Sequence, residues 1–132
     1  MANDTISDFL TKIRNANNSK HQIVEVPSTK MINDLVKILK DEGFIQNFQI
    51  SYGDIQNSII ISLKYFGQNR QPVITTLKRI SKPGIRVYVR RKNISNFLGN
   101  VGVSIISTSQ GVMTDRKAKT LNIGGEILCQ IS

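Results

Sequence analysis

The sequence has few of the residues from which catalytic, metal-binding or disulfide-stabilised sites are built. Its 132 residues include one cysteine, Cys129, one histidine, His21, and no tryptophan. A single cysteine excludes an internal disulfide and a cysteine-based zinc cluster, and His21 has no nearby partner for metal binding or acid–base work. We therefore expect no enzyme activity, no metal and no cofactor. We interpret Cys129 as a packed thiol in a strand and His21 as a surface residue.

Long apolar runs and internal repeats are also missing. No stretch approaches the roughly 20 apolar residues of a membrane-spanning helix. The N-terminal segment MANDTISDF is polar and acidic, unlike a secretory signal or an arginine-rich transit peptide. We therefore expect no membrane partner and a protein that acts in the compartment where it is made. With 39% apolar residues, a chain of this length can bury the core of one domain or of two small lobes.

Acidic residues are scarce in the second half of the chain. The formal net charge is +9, and seven basic residues balance seven acidic ones before Gly67, whereas eleven basic residues face two acidic ones from Gly67 onward. This asymmetry indicates a polyanionic partner for the second half, and nucleic acid is commoner than membrane. Aromatic residues make up 6%, too few for a base-stacking sheet, so a prefolded RNA read by shape, ribose hydroxyls and phosphates is favoured.

The spacing of apolar residues predicts an α+β fold with two small lobes, 1–66 and 67–132, divided at the polar segment GQNRQP. In the first lobe we expect the order α-β-α-β-β. A helix from Thr5 to about Ala16 is capped by Asn3 or Asp4, and a second helix is capped by Ser28 or Thr29 and ends at Gly43. The predicted strands are 22–26, 44–51 and 58–65.

The second lobe is predicted to be mostly β with one short helix. Strands are expected over 73–80, 86–90, 101–106 and 126–131, with a type II turn at Pro83-Gly84 and a helical turn or irregular connection over 93–100. Thr114 is expected to cap the helix, and Gly124-Gly125 to end it. Alternation in 86–90 places Arg86, Tyr88 and Arg90 on one face, which we expect to point at solvent or a ligand. The densest basic cluster is Arg90-Arg91-Lys92.

The segment 107–116, STSQGVMTDR, concentrates hydroxyl groups in the turn that ends the 101–106 run. Hydroxyl oxygens bond nearby backbone amides, and Gly111 permits a tight bend or a close backbone approach. Since the segment contains no acid–base pair and no activated nucleophile, it is typical of a recognition surface for phosphates, sugars or base edges. From these ten residues alone, an ordinary strand end with common turn residues is the first interpretation.

The same segment resembles the signature of a family, the eighth protein of the small ribosomal subunit in its bacterial and organellar form. The matching positions run from Gly102 through Ser107, Gly111 and Met113 to Lys119. Four further segments of the chain resemble other landmarks of the family: RNANN, KMINDLVKILKDEGFI, RISKPGIRVYV and GGEILC. Five blocks therefore match in the same order, and the similarity covers essentially the whole chain.

The resemblance implies a structural constituent of the small ribosomal subunit that binds the central domain of its RNA directly. Neighbouring small-subunit proteins five and twelve are implied as partners, and the free protein is expected to be a monomer. The family's contact positions, together with the basic residues of the second lobe, give these expected RNA-binding residues: Ser107, Thr108, Ser109, Gly111, Gly124, Gly125, Glu126, Tyr88, Thr5, Arg14, Ser28, Thr29, Lys30, Arg86, Arg90 and Arg91. Glu126 is expected to accept bonds from a base edge, to brace the serine loop, or to be structural.

One position departs from the family pattern. Gln110 stands where the family usually has a basic residue, which removes one phosphate partner. Arg116, Lys117 and Lys119 are expected to compensate. An interaction protein whose basic lobe meets acidic protein or membrane surfaces, and an RNA-modifying enzyme, are the alternative interpretations. The frequent Ile, Asn and Lys are typical of AT-rich coding DNA, so a ribosome in a plastid, or else in bacterial cytoplasm, is the expected location.

Overall fold

The computed structural model describes residues 5–93 and 102–132, and these form three α-helices and ten short strands. Their bounds, with the labels used below, are α1 Thr5–Asn18, β1 Ile23–Pro27, α2 Lys30–Asp41, β2 Ile45–Ser51, β3 Ser58–Leu63, β4 Tyr65–Phe66, β5 Gln71–Pro72, β6 Leu77–Arg79, β7 Tyr88–Val89, β8 Val103–Thr108, β9 Gly111–Thr114, α3 Asp115–Leu121 and β10 Gly125–Ile131. The α+β prediction is confirmed. The expected cap at Asn3 or Asp4, residue Val101 and the connection 94–100 lie outside the described residues.

The described residues cluster into two compact units. The N-terminal unit is Ser7–Thr75, and the C-terminal unit comprises Thr76–Ser132 together with Thr5 and Ile6. Within the described ranges, none of the helices combines the length and the apolar character that crossing a membrane requires.

The N-terminal unit has the predicted α-β-α-β-β order, and its three-stranded antiparallel sheet has the order β1-β3-β2. Alternate residues of the central strand β3 are buried, as are the apolar faces of both helices. Thr29 caps α2, because its hydroxyl accepts a hydrogen bond from the Ile32 amide at 3.2 Å. Gly43 follows α2 with a φ of 81°, as predicted for a left-handed C-terminal residue.

The predicted third strand of this unit is too long. Strand β3 ends at Leu63, and β4 and β5 form a separate hairpin in which Tyr65 pairs with Pro72. The Val73 amide closes the hairpin by donating to the Lys64 carbonyl at 3.1 Å. The strand predicted over 73–80 is consequently wrong in its first half, and the ladder begins only at Leu77.

The C-terminal unit is a five-stranded antiparallel sheet in which β10 is central. The strands follow the order β6-β10-β8-β9, and β7 pairs with β10 at the end where Gly125 lies. One face is apolar: Val89, Ile106, Met113, Ile127 and, from α3, Ala118 form a buried cluster. The helix therefore covers this face of the sheet. On the opposite face Ile105 and Cys129 are buried as well, and the accessible part is the end where Tyr88 and Glu126 lie.

One turn, one strand and one helix end of the C-terminal unit differ from the prediction. Pro83 and Gly84 lie between Lys82 and Ile85, which exchange backbone hydrogen bonds, but Gly84 has no positive φ, so the turn is not type II. The predicted strand 86–90 contributes only Tyr88 and Val89 to the ladder. Helix α3 ends at Asn122, whose φ of 59° supplies the left-handed cap that the prediction gave to Gly124-Gly125.

Cys129 is buried in β10, which raises its thiol pKa from 9.0 to about 12, the charge of Arg79 acting weakly in the opposite direction. An unfolded chain loses the thiol proton near pH 9, whereas the folded chain keeps it. We therefore expect the free energy of unfolding to fall as the pH rises from about 9 to about 12, by at most about 1.4 kcal/mol per pH unit from this group. Guanidinium unfolding of wild type and Cys129→Ala across this range isolates the thiol, and equal slopes for both proteins would contradict the assignment.

Candidate nucleic-acid interface

The hydroxyl-rich segment forms a β-hairpin instead of the expected loop. Strand β8 continues through Ser107 and Thr108, the chain turns at Ser109 and Gln110, and β9 returns with Gly111 paired to Thr108. Gly111 has a φ of 112°, and a Cβ added to it would meet no atom within 4 Å, so this glycine serves the bend and not a close backbone approach. Two hydrogen-bonded strands thus hold the turn in place.

Thr108 stabilises this turn from within. Its hydroxyl donates to the Gly111 carbonyl at 2.8 Å and accepts from the Gln110 amide at 3.1 Å. Ser107 is half-buried and Ser109 is exposed, and their hydroxyls have no hydrogen-bond partner among residues 5–93 and 102–132. The hairpin therefore keeps one hydroxyl for its own structure and presents two to a ligand.

The outer face of the sheet carries a row of three side chains from three strands. Glu126 on β10 pairs with Tyr88 on β7 and with Ser107 on β8. Residues opposite each other in antiparallel strands share a face, and neighbouring strands lie roughly 5 Å apart. Tyr88, 68% exposed, and Ser107 consequently flank Glu126 on the face opposite to α3. Sequence analysis named all three residues, and the register brings them together.

Glu126 is engaged by a cation on the same face. Arg86 Nη1 lies 3.0 Å from Glu126 Oε2, and the carboxylate side chain is 18% exposed. The other acidic residue among the described residues of the C-terminal unit, Asp115, begins α3 and accepts from the Ser104 amide at 3.4 Å. The Arg86 guanidinium compensates the charge of Glu126, whereas Asp115 keeps its charge, because a hydrogen bond from a neutral amide does not neutralise a carboxylate.

Two glycines set the spacing of this site. A Cβ on Gly125 would lie less than 3.0 Å from the Ser107 carbonyl oxygen, and a Cβ on Gly124 would collide with the Val89 carbonyl and the Arg91 amide. Because these two residues have no side chain, the backbone at Gly125 can approach Ser107, and the backbone at Gly124 can approach Val89 and Arg91. The predicted role in ending a helix is replaced by close packing of backbones.

Two further groups of cations in this unit belong to the sequence-predicted surface or its expected compensation. Arg90 and Arg91 are exposed just after β7, next to the outer-face residue Tyr88 in the chain. Arg116, Lys117 and Lys119 are exposed on α3, which packs on the inner face. The expected compensation for Gln110 by these three residues therefore finds no support in their position, because they do not share the face of Ser107.

The site residues predicted for the first lobe lie at helix termini and on helix surfaces. Thr5 begins α1 and clusters with the C-terminal unit, whereas exposed Arg14 lies in the N-terminal unit. The hydroxyl of Ser28 donates to Asn33 Oδ1 at 3.1 Å, and that of Thr29 caps α2. Exposed Lys30 is the first residue of α2. Two of the hydroxyls expected to contact RNA thus also organise the start of a helix.

The described residues contain no group of three histidine, cysteine, aspartate or glutamate side chains arranged to hold a metal ion.

Sequence reasoning missed the pairing of Arg86 with Glu126, although the opposite charges on neighbouring predicted strands were a usable signal. It also missed a group of cations around Lys20 and Arg70 in the N-terminal unit. The signal there is the lack of acidic residues between Asp8 and Glu25, around Lys20, and between Asp54 and Asp115, around Arg70.

Comparison with known proteins gives matches along the whole chain. A family model described as ribosomal protein S8 matches residues 4–132. A protein of Pyropia yezoensis named small ribosomal subunit protein uS8c is 58% identical over 131 residues, which are 99% of this chain and 98% of that protein. A protein of Nostoc punctiforme named small ribosomal subunit protein uS8 is 54% identical over 130 residues, 98% of each chain. One from Gracilaria tenuistipitata, also named uS8c, is 56% identical over 99% of each chain.

Proposed function

The chain belongs to the ribosomal protein S8 family, and from this premise we propose that it binds the central domain of small-subunit ribosomal RNA directly and helps to assemble it. The proposed contact surface is the outer face of the C-terminal sheet with the hairpin turn beside it. Its residues are Tyr88, Ser107, Thr108, Ser109, Gly111, Gly124, Gly125, Glu126, Arg86, Arg90 and Arg91.

Family membership makes the protein a structural constituent of the small ribosomal subunit and not an enzyme. Proteins named uS8c and the cyanobacterial proteins named uS8 are both similar to it, which supports a ribosome of a plastid or of bacterial cytoplasm. Within that range we propose a plastid. We also propose proteins five and twelve of the small subunit as neighbours, on the family resemblance alone.

The observation that carries the proposal is the pair of hydroxyls without internal partners on a turn that a third hydroxyl holds rigid. Ser107 and Ser109 can each donate one hydrogen bond and accept others, which suits ribose hydroxyls, phosphates and base edges. The two strands and Thr108 fix the turn before binding, so little conformational entropy is lost on contact. A preformed hydroxyl edge is suited to a folded RNA helix read across its shallow groove.

Charge supports the same partner. The portion 67–132, which we retain as a proposed basic lobe, holds eleven basic and two acidic residues. Both acidic residues are engaged internally, Glu126 by Arg86 and Asp115 by the Ser104 amide. We therefore assign a positioning role to Glu126: the carboxylate holds Arg86 on the face where Ser107 lies. For the N-terminal unit we propose weaker contacts by Thr5, Arg14, Ser28, Thr29 and Lys30.

Recovery of bound RNA tests the proposal. The chain is purified at low salt, treated with nuclease, and the protected RNA is sequenced, while a parallel sample is offered vesicles containing anionic phospholipid. We expect one discrete protected fragment from the central domain of small-subunit RNA. Binding to vesicles should be no stronger than that of an unrelated protein of similar net charge. Vesicle binding without a protected fragment, or a random set of fragments, would refute specific RNA recognition.

A further inference from the structure

The N-terminal unit carries a second basic patch, formed by Lys20 and Arg70 with His21 beside them, outside the positions that the family resemblance supplies. Lys20 and His21 lie between α1 and β1, and Arg70 ends the turn of the β4–β5 hairpin; all three are exposed. No acidic residue occurs between Asp8 and Glu25 or between Asp54 and Asp115, so neither segment supplies a neutralising carboxylate. We call these three residues the Lys20–Arg70 platform.

Hydrogen bonds join the two segments of the platform. Lys20 Nζ donates to the Asn69 carbonyl, and Arg70 Nη2 donates to Gln22 Oε1, each at 2.9 Å. The Tyr65 hydroxyl donates to the His21 carbonyl, so the hairpin is attached to the α1–β1 connection at three points. Cations that are far apart in the sequence are thereby held on one surface.

The backbone at both principal cations is in an unusual conformation. Lys20 has a φ of 57° and Arg70 a φ of 52°, and they are two of the three non-glycine residues with positive φ in the described chain. For residues with a side chain this conformation costs on the order of 1 kcal/mol or more, and it persists where surrounding contacts enforce it. At Lys20 this conformation ends α1, and the next amide, that of His21, donates to the Ala16 carbonyl at 2.9 Å. At Arg70 it ends the hairpin turn, and the Arg70 amide donates to the Gly67 carbonyl at 3.3 Å.

The geometry of Arg70 suits a phosphate. Its guanidinium carbon lies 4.9 Å from the centroid of the Tyr65 ring, which orients the planar group. One terminal nitrogen is engaged by Gln22, and the other N–H groups remain available for a bidentate contact with two phosphate oxygens. Lys20 keeps two of its three donors, and the turn adds the exposed amides of Gln68 and Asn69 for ribose hydroxyls.

We propose that the Lys20–Arg70 platform is a second phosphate-binding surface of this protein, which contacts the backbone of small-subunit ribosomal RNA through Lys20 and Arg70. This inference rests on the proposed function, because it names a further contact with the same RNA. RNA is favoured over an acidic protein segment because the fixed guanidinium, the ammonium group and the neighbouring amides match phosphates and ribose hydroxyls.

The double variant Lys20→Gln with Arg70→Gln tests the platform. The probe is complete small-subunit ribosomal RNA, and its Kd for the full chain is measured at several salt concentrations. Each lost phosphate contact lowers the slope of log affinity against log salt by roughly 0.7 to 0.9, so the double variant should lose roughly 1.4 to 1.8. Its affinity at low salt should fall about 10-fold or more, and Arg70→Lys should keep most of the slope.

Lys12→Gln is the matched control, because it removes one exposed charge from α1 of the same unit. If Lys12→Gln and the double variant have the slope of the wild type, the platform does not touch RNA and the inference is overturned. Lost incorporation into the small subunit with unchanged RNA affinity would overturn it in favour of an acidic protein partner. Failure of the wild type to bind the RNA would instead refute the proposed function, and circular dichroism of each variant excludes unfolding as the cause.

Discussion

Gly125→Ala is expected to destabilise the C-terminal unit by about 1–3 kcal/mol, the usual cost of forcing extra atoms into a closely packed region. The new methyl group would collide with the Ser107 carbonyl on β8, and Ile106 lies close behind. Relief requires β8 and β10 to separate, which moves Ser107 away from Glu126. Equilibrium guanidinium unfolding should therefore show a lower midpoint, and RNA affinity should fall together with the stability.

Gly84→Ala is the matched control for this prediction. Gly84 lies in the turn before Arg86, has no positive φ, and has no atom within 4 Å of its Cβ position. Alanine there should leave the unfolding midpoint nearly unchanged. If Gly125→Ala were as stable as Gly84→Ala and bound RNA equally well, the close approach of β10 to β8 would not be needed for the site.

Ser107→Ala combined with Ser109→Ala is expected to lower specific RNA affinity roughly 10- to 100-fold, since two hydrogen bonds of about 1 kcal/mol or somewhat more are lost. Neither hydroxyl has an internal partner in the described chain, so stability should hardly change. The cations are untouched, so nonspecific, salt-sensitive binding should persist. Competition between small-subunit RNA and an unrelated RNA of equal length measures the ratio of the two affinities.

A variant that removes charge instead of hydroxyls gives the contrast. Lys117→Gln removes an exposed cation from α3, the helix on the inner face of the sheet. Because α3 lies on the face opposite to Ser107, this variant should change both affinities little, through the loss of one unit of long-range charge, and leave their ratio unchanged. If the double serine variant also left the ratio unchanged, recognition would not depend on the hairpin hydroxyls.

Local chemistry was sufficient to predict much of the fold. The spacing of apolar residues predicted both helices of the N-terminal unit, and Thr29, Gly43 and Thr114 act as the caps or terminal residues that their types indicate. Alternation placed Arg86, Tyr88 and Arg90 outward and Val89 inward, which the structure bears out. These features depend on neighbours within a few residues, so the sequence contains the information directly.

Features that depend on distant partners were missed. Whether Val73 begins a strand depends on Lys64, whose carbonyl accepts a hydrogen bond from the Val73 amide. Local alternation of apolar residues cannot reveal this contact. Likewise, two consecutive glycines are typical of the end of a helix. Only the structure shows that Gly124 lies against the backbone of β7 and Gly125 against the backbone of β8. The hairpin at 107–114 was interpreted as a loop because Ser and Thr favour turns, although the pairing of β8 with β9 overrides that preference.

The candidate site was predictable in its residue types but not in its geometry. Charge asymmetry and the hydroxyl-rich segment indicated RNA, and the family resemblance supplied the positions. The row formed by Tyr88, Glu126 and Ser107 follows from a strand register that no short stretch of sequence encodes. The same holds for the Lys20–Arg70 platform, which joins residues 50 positions apart through the hydrogen bonds of Asn69 and Gln22.

A nuclease footprint on complete small-subunit ribosomal RNA tests the central claim most directly, using the purified wild-type protein beside the Ser107→Ala, Ser109→Ala variant. We expect one compact protected region in the central domain for the wild type, and weaker protection of that region by the double variant at the same protein concentration. Protection that is spread over the RNA, or that is identical for both proteins, would contradict it.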